Sequence, residues 1–181
     1  IPTQPVRFCY LGQLDDKGWH RTEYLLKLFK TLSQNFDAQF LIVTQSNHDS
    51  IRTQVEEQGL SKNLVLTRAQ DADEVAKLLQ PCHFAVMSYK PSIGHIEEAI
   101  AMTVVASKSG EYLAAGLPMI CNRQLRGIAE LIERYNIGVT YDIGDESAVV
   151  EEVKNILAYY KDISDKCREV AKNHFDLKNN V

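Results

Sequence analysis

The segment from Tyr10 to Gly18 has the residue types of an anion-binding turn. It reads YLGQLDDKG, so a short apolar run ends at a glycine and a lysine follows. Gly12 allows a close approach to the backbone, and the ammonium group of Lys17 can reach a phosphate. The pattern is not a P-loop, because GxxxxGK[ST] is absent. Gly12 and Lys17 are therefore candidate phosphate-binding residues, and an ordinary loop with solvated charges is the alternative.

A second segment, from Ser107 to Ile120, combines an anion site with a carboxylate. It reads SKSGEYLAAGLPMI, in which small residues open a helix and leave the backbone N–H groups of residues 107–110 accessible to an anion. Glu111 is predicted to lie in the first turn, where the helix dipole favours a carboxylate. Such a group can accept hydrogen bonds from two vicinal hydroxyls, as an acid does on ribose in dinucleotide folds. A structural helix cap is the alternative.

The other reactive residue types form no recognisable site. The cysteines are widely spaced, without a CxxC pair or zinc-ligand spacing, and are predicted to be buried thiols: Cys9, Cys82, Cys121 and Cys167. Most histidines are isolated and predicted to be exposed: His20, His48, His95 and His174. His83 begins a predicted strand and is expected to be a hydrogen-bonded boundary residue. No Asp-rich metal motif is seen.

Short apolar runs alternate with helical patterns along the chain. The apolar runs predict strands at residues 7–11, 39–44, 63–67, 83–88, 118–121 and 138–141. Helical spacing and stop signals predict helices at residues 20–36, 48–58, 71–79, 96–102, 108–115, 125–134, 145–160 and 163–173, with Asp71 or Asp73 capping the third.

This alternation predicts an α/β fold with a doubly wound, mostly parallel sheet of about six strands. Parallel strands that are buried on both faces have this pattern, with crossover helices between them. No repeat or internal linker appears, so residues 1–181 are predicted to form one domain. Ligands bind such sheets beyond the carboxyl ends of the strands. The candidate site loops are those after Leu11, Thr67, Ser88 and Cys121.

Composition limits the classes of protein. Hydrophobic residues are 45% and charged residues 24% of 181, the usual globular balance. The net charge is −4, so the chain lacks the excess of basic residues that is typical of nucleic-acid-binding proteins. No apolar run has the length of a membrane span, and residues 1–5 do not begin a signal peptide. Since the chain does not begin with Met, we expect it to be a fragment.

The two motifs and their surroundings resemble one known family. GEYLAAGLPMI is similar to the core signature of retaining glycosyltransferases of the GT-B fold, family 4, in which an acidic residue and a small-residue helix precede G-[TL]-P-V-I. YLGQLDDKG resembles the strand–GRL–xxKG opening of that family. Residues 63–89, residues 126–138 and the closing CREVAKNHFDLKNNV resemble its other segments in order. The resemblance covers nearly the whole chain, but only the C-terminal, donor-binding half of such enzymes.

Carried over by position, the resemblance implies a donor-binding site. Glu111 matches the acid that binds the donor ribose, and Lys17 matches a lysine that contacts the diphosphate. The resemblance implies further donor contacts from the turn, from the base-binding loop and from the start of the helix. These residues are Gly12, Gln13, Arg68, Lys108, Ser109 and Gly110.

Two departures from the family pattern concern charge. Gln13 stands where the family has a phosphate-binding arginine, and Thr103 stands where the first glutamate of E-x7-E is expected. One sub-pattern of the family instead reads SPTKLGEYLA, which Ser107–Glu111 resembles with Lys108 in place of its lysine. Lys108 is then expected to supply the positive charge that Gln13 does not.

The resemblance implies transfer of a sugar from a nucleoside diphosphate to an acceptor hydroxyl with retention, in polysaccharide, glycan or glycolipid assembly. It implies no cofactor and no metal. The acceptor glycan or glycolipid is expected to bind an N-terminal domain absent from these residues, so no catalytic residue is assigned and the fragment alone is predicted to be inactive. The expected location is the cytoplasm, with peripheral membrane contact allowed and no nucleic-acid partner.

Three alternatives remain open. A non-catalytic binding module of the same fold is favoured by Gln13 and Thr103. A nucleotide-sugar epimerase of this fold needs acids and a histidine that the sequence does not reveal. A response-regulator receiver is suggested by Asp15 and Asp16, but it needs an aspartate at the end of the third strand, where this chain has Thr67 and Arg68.

Overall fold

A computed structural model of the chain describes residues 4–14, 19–91, 94–103 and 107–176, without the side chains of Ile100, Thr103 and Ser107. The strands in these ranges are β1 (Val6–Leu11), β2 (Ala38–Val43), β3 (Leu64–Thr67), β4 (Phe84–Met87), β5 (Met119–Asn122) and β6 (Gly138–Tyr141). The helices are α1 (Thr22–Asn35), α2 (His48–Glu57), α3 (Ala72–Leu79), α4 (His95–Thr103), α5 (Ser107–Ala114), α6 (Arg126–Tyr135), α7 (Ala148–Ala158) and α8 (Tyr160–His174).

The six strands form one sheet in the order β3-β2-β1-β4-β5-β6. Every neighbouring pair is parallel, and β1 pairs with β2 on one side and with β4 on the other. This confirms the predicted doubly wound α/β fold, with a sheet that is parallel throughout. The strand order reverses between β1 and β4, so the crevice at their carboxyl ends is the switch point where ligands bind in such folds.

The sheet is covered on both faces, as continuous apolar strands predict. Phe8 and Tyr10 point to the face covered by α1, α2 and α7, whereas Cys9 points to the face covered by α3, α5, α6 and α8. All four cysteine side chains are buried, as predicted. Within the described ranges, none of the helices is both long and apolar enough to span a membrane.

Polar contacts at element ends decide several boundaries. Asp71 caps α3, because its side chain accepts a hydrogen bond from the Glu74 N–H at 2.8 Å. His83 accepts a hydrogen bond from the Arg7 N–H at 2.9 Å, which confirms its predicted role at the start of β4. His48 was predicted to be exposed, but this is wrong: the residue is buried, with Nε2 3.0 Å from the Thr44 carbonyl oxygen.

The helix predicted over residues 145–160 starts later than its pattern indicates. α7 begins at Ala148, because acidic side chains before it bond to the turn. Glu146 accepts a hydrogen bond from the Gly144 N–H at 3.1 Å, and Asp145 accepts one from the Ser147 hydroxyl at 3.0 Å. Short acidic side chains that bond locally in this way favour turns over helix interiors.

Candidate functional site

The ammonium group of Lys108 lies against the glycine that follows β1. Gly12 has φ +131°, a conformation that other residues rarely adopt. A Cβ atom at this position would lie 3.0 Å from Lys108 Nζ. The turn therefore needs glycine for its backbone conformation, and the absence of a Cβ atom leaves room for this cation. Two of the predicted donor-binding residues are thus adjacent at the switch point.

The turn from Leu11 to Leu14 is held by hydrogen bonds from several elements. The Leu11 N–H donates to the Tyr112 hydroxyl at 2.6 Å, and the Gly12 N–H donates to the Val43 carbonyl at 3.0 Å. The Tyr10 hydroxyl donates to the Gln13 carbonyl at 2.8 Å, and the Leu14 N–H donates to the Ser46 hydroxyl at 2.9 Å. These bonds fix the turn in place before any ligand binds.

Aromatic rings surround the Lys108 ammonium group. Lys108 Nζ lies 4.8 Å from the ring centroid of Tyr10 and 5.6 Å from that of Tyr89. The same atom is 3.4 Å from Nε2 of His20. Within the described part of the chain, no carboxylate forms an ion pair with it. Ring faces attract a cation, but they carry no net negative charge to pair with it.

Burial of Lys108 changes its proton affinity. Desolvation lowers the pKa of Lys108 to about 8, although Cys121 and the Glu111 carboxylate oppose part of the decrease. An ammonium group in such surroundings is still largely protonated at neutral pH. An anion that binds beside it stabilises the charged form and raises the pKa again.

Glu111 lies on the same helix as Lys108 but faces a different space. It is the fifth residue of α5, so it lies beyond the first turn, and the prediction that it would occupy that turn is wrong because the helix begins at Ser107. Its side chain is exposed and lines a cavity of about 560 Å³ between α5 and α3. The α3 side of this cavity includes Ala72, Val75 and Ala76.

A smaller cavity lies at the turn after β1. It has a volume of about 160 Å³ and is lined by Gly12, Gln13, Thr44, Ala69 and Val75, among others. Val75 lines both cavities. The two cavities therefore share one lining residue, with the Gly12 turn beside the smaller cavity and the carboxylate of Glu111 beside the larger one.

Ser109 and Gly110 have packing roles in addition to any role of their backbone. The Ser109 side chain is fully buried, with its hydroxyl 3.6 Å from Met87 Sδ. A Cβ atom at Gly110 would lie 3.0 Å from the ring of Phe175, the residue that follows α8. Glycine is thus required where the C-terminal end of α8 packs on α5.

Four further residues named in the sequence analysis are Gln13, Lys17, Arg68 and Thr103. The side chains of Gln13 and Arg68 are exposed at the ends of β1 and β3. Lys17 lies outside the described residues, as does the side chain of Thr103.

Four residues of the site were not identified from the sequence: Tyr10, His20, Tyr89 and Tyr112. His20 was predicted to be isolated and exposed, which is wrong, because its ring is half-buried and 4.3 Å from that of Tyr89. Tyr112 follows Lys108 by four residues, a spacing that places both on one face of a helix. That spacing could have placed Tyr112 on the same side of α5 as Lys108, but it does not indicate the hydrogen bond to β1.

The loops after β1 and β4 are tied together across the switch point. The Lys90 N–H donates to the Trp19 carbonyl at 2.9 Å, and Lys90 Nζ lies 5.6 Å from the centre of the Trp19 ring. The same ammonium forms an ion pair with Glu97 at 3.0 Å. These contacts hold the two loops together at the carboxyl end of the sheet.

A larger polar cavity, of about 710 Å³, lies between α4 and α6. Arg123 forms ion pairs there with Glu133 at 3.3 Å and Asp142 at 3.0 Å, and Arg126 pairs with Glu98 at 3.5 Å. Across the described ranges, no three His, Cys, Asp or Glu side chains are grouped closely enough to hold a metal ion.

Solved structures of glycosyltransferases share this fold. Sucrose-phosphate synthase from Thermosynechococcus elongatus is 17% identical to this chain, with a TM-score of 0.73. The match covers 98% of this chain and 43% of the synthase. Anabaena HepE, in complex with UDP-glucose, is 14% identical to this chain, with a TM-score of 0.70. The match covers 98% of this chain and 47% of HepE. This chain therefore spans less than half the length of either protein.

A shorter structure matches over most of its own length. The C-terminal domain of the glycosyl transferase group 1 family protein LpcC from Francisella tularensis is 10% identical with a TM-score of 0.67. The match covers 95% of this chain and 87% of that one. A comparison with curated protein sequences found no match. The family profile described as "Glycosyl transferases group 1" matches residues 1–174, and the chain belongs to that family.

Proposed function

We propose that this chain is the donor-binding, C-terminal domain of a two-domain, retaining glycosyltransferase of GT-B family 4. The reaction transfers a sugar from a nucleoside diphosphate to an acceptor hydroxyl in glycan, polysaccharide or glycolipid assembly. Family membership supports the transferase activity. The match to a C-terminal domain supports the domain assignment, and the UDP-glucose complex of HepE supports the class of donor.

The diphosphate binds beside Gly12 and Lys108 in this proposal. Three features support that assignment: the switch-point position, the absence of a Cβ at Gly12, and a cation that has no ion-pair partner among the described residues. Lys108 then supplies the charge that Gln13 lacks, in accord with the family sub-pattern. Charge-assisted bonds to a phosphate oxygen are stronger than neutral ones.

The nucleoside occupies the cavity between α3 and α5. The carboxylate of Glu111 accepts hydrogen bonds from the ribose hydroxyls, and the base lies near Val75 and the loop that contains Arg68 and Ala69. Two observations support this arrangement: Glu111 is exposed, and Val75 lines both cavities.

The domain contributes to catalysis by holding the donor and neutralising the departing diphosphate. Positioning lowers the entropic part of the barrier, and a fixed cation stabilises the charge that develops on the leaving group. The acceptor glycan or glycolipid binds a second, N-terminal domain on the cytoplasmic side of the membrane. Residues 1–181 alone therefore bind a nucleotide but transfer no sugar.

The approach of Lys108 to Gly12 is the observation that carries this proposal, and calorimetry tests it. UDP, ADP and GDP are titrated into the wild-type chain, into Lys108→Ala and into Lys154→Ala. Lys154 is the matched control, because it removes the same charge from α7, where it pairs with Glu151. At least one of the three diphosphates should bind the wild type.

We expect Lys108→Ala to lower the affinity for that diphosphate about 10- to 100-fold, because a charge-assisted hydrogen bond contributes about 1.5–3 kcal/mol. The affinity for the corresponding nucleoside should fall less than about twofold. Equal losses for both ligands would remove Lys108 from the phosphate site. Transfer from the same donor by the complete protein separates an enzyme from a binding module that has lost activity.

A further inference from the structure

We infer that Tyr112 is a positioning residue, which ties the helix that carries Lys108 to the turn that carries Gly12 and so sets the geometry of the anion site between them. The nature of the anion rests on the proposed function, but the contact itself does not.

The contact is a short hydrogen bond between distant parts of the chain. The Tyr112 hydroxyl accepts the Leu11 N–H at 2.6 Å, across 101 positions of sequence. Tyr112 has no exposed surface. Water cannot easily replace a partner in such a place, so loss of the hydroxyl leaves the Leu11 N–H without one.

The register of this bond matches the register of the site. Lys108 and Tyr112 are four residues apart on α5, so their side chains leave the same face one turn apart. They meet two successive residues of the turn, Gly12 and Leu11. A shift of α5 relative to β1 therefore changes both contacts together.

Further contacts attach α5 and the turn that follows it to α8 and do not depend on the Tyr112 hydroxyl. Ser164 donates to the Gly116 carbonyl at 2.7 Å, and Arg168 donates to the Ala115 carbonyl at 3.4 Å. Phe175 packs on Gly110 near the start of the helix. These bonds keep α5 folded and attached, so Tyr112 can lose its hydroxyl without release of the helix.

Titration does not disturb this link. Burial raises the pKa of Tyr112 well above its usual value, so the hydroxyl stays neutral throughout the pH range in which Lys108 gains or loses its proton. An effect of Tyr112 on binding should then be separable from that of Lys108 by its pH dependence.

The test compares two Tyr→Phe variants that each lose one phenol–backbone hydrogen bond. Tyr112→Phe removes the bond to Leu11, and Tyr160→Phe removes a 3.0 Å bond to the His83 carbonyl at the opposite, amino edge of the sheet. Calorimetry with inorganic pyrophosphate, UDP and uridine gives three affinities for each variant, and thermal melts report stability.

We expect Tyr112→Phe to lower the affinity for pyrophosphate and for UDP about tenfold, which corresponds to about 1.4 kcal/mol. The affinity for uridine should fall less than about twofold. Tyr160→Phe should bind all three as the wild type does, whatever its melting temperature. Wild-type affinity for pyrophosphate in Tyr112→Phe, or an equal loss for uridine, would overturn the inference. A wild-type chain that binds neither pyrophosphate nor any of UDP, ADP and GDP would overturn the proposed function and this inference with it.

A measurement on the wild type covers the case in which Tyr112→Phe does not fold. Pyrophosphate should slow hydrogen exchange at the Leu11 amide as well as at Gly12, since the ligand stabilises the turn and α5 as one unit. Slower exchange at Gly12 with no change at Leu11 would contradict the inference.

Discussion

Two polar regions of the molecule differ in how their charges are balanced. In the larger one, between α4 and α6, Arg123 and Arg126 pair with carboxylates in a cavity of about 710 Å³. In the smaller one, at the switch point, Lys108 is surrounded by rings and by Gly12, without an ion pair among the described residues.

The comparison separates the size of a cavity from its capacity to bind an anion. Exposed ion pairs that already satisfy each other offer little to a ligand and contribute little to stability. A partly buried cation without a counter-ion has lost hydration that an anion can replace. The smaller region is therefore the better candidate for a diphosphate, although its cavities are smaller.

The largest effect in this comparison is expected for Glu111→Gln, with Glu130→Gln as the matched change in the larger cavity. The glutamine keeps the shape of Glu111 but replaces one acceptor by a donor, so the two ribose hydroxyls lose a charge-assisted partner. UDP should bind Glu111→Gln about 10- to 100-fold more weakly, and Glu130→Gln should bind it as the wild type does.

The 2′-deoxy analogue sharpens that test. It should bind the wild type less well than UDP, and Glu111→Gln should discriminate less between the two sugars, as measured by calorimetric titration. If Glu111 only stabilises its helix, the variant should instead lose about 0.5–1 kcal/mol of stability and bind both nucleotides normally.

The smallest effect is expected for Arg123→Ala. The variant breaks two exposed ion pairs, so the free energy of unfolding should fall by about 1 kcal/mol or less. Its affinity for pyrophosphate should change less than about twofold, measured by calorimetry beside a denaturant melt. A loss as large as that of Lys108→Ala would mean that the larger cavity binds the anion and that the comparison is wrong.

The fold was predictable because its strands are short apolar runs, and the central strands β1, β4 and β5 are buried on both faces. Continuous apolar runs located all six strands, and glycine or proline located the ends of α2, α3 and α5, at Gly59, Pro81 and Gly116. The start of α7 was predicted three residues too early, because local bonds of Asp145 and Glu146 compete with the helix.

The site was predictable only where a motif carried it. Gly12 and Lys108 come together although 96 positions separate them, and family patterns had indicated both. The contacts of Tyr10, Tyr89 and His20 depend on how α5 and two loops meet, which no local spacing encodes. Tyr112 has the periodicity of a core residue, and its hydrogen bond to β1 is visible only in three dimensions.

The ionisation of Lys108 tests the central claim most directly. Its pKa of about 8 in the free chain means that the ammonium is charged below this pH and neutral above it. Pyrophosphate binds the charged form, so its affinity should fall as the pH rises through 8, and Lys108→Arg should remove that dependence. An NMR titration of the Lys108 side chain, with and without pyrophosphate, should give a pKa near 8 that rises when the ligand is present. A pKa near the usual value of about 10.4 that pyrophosphate does not change would contradict the assignment of Lys108 to the anion site.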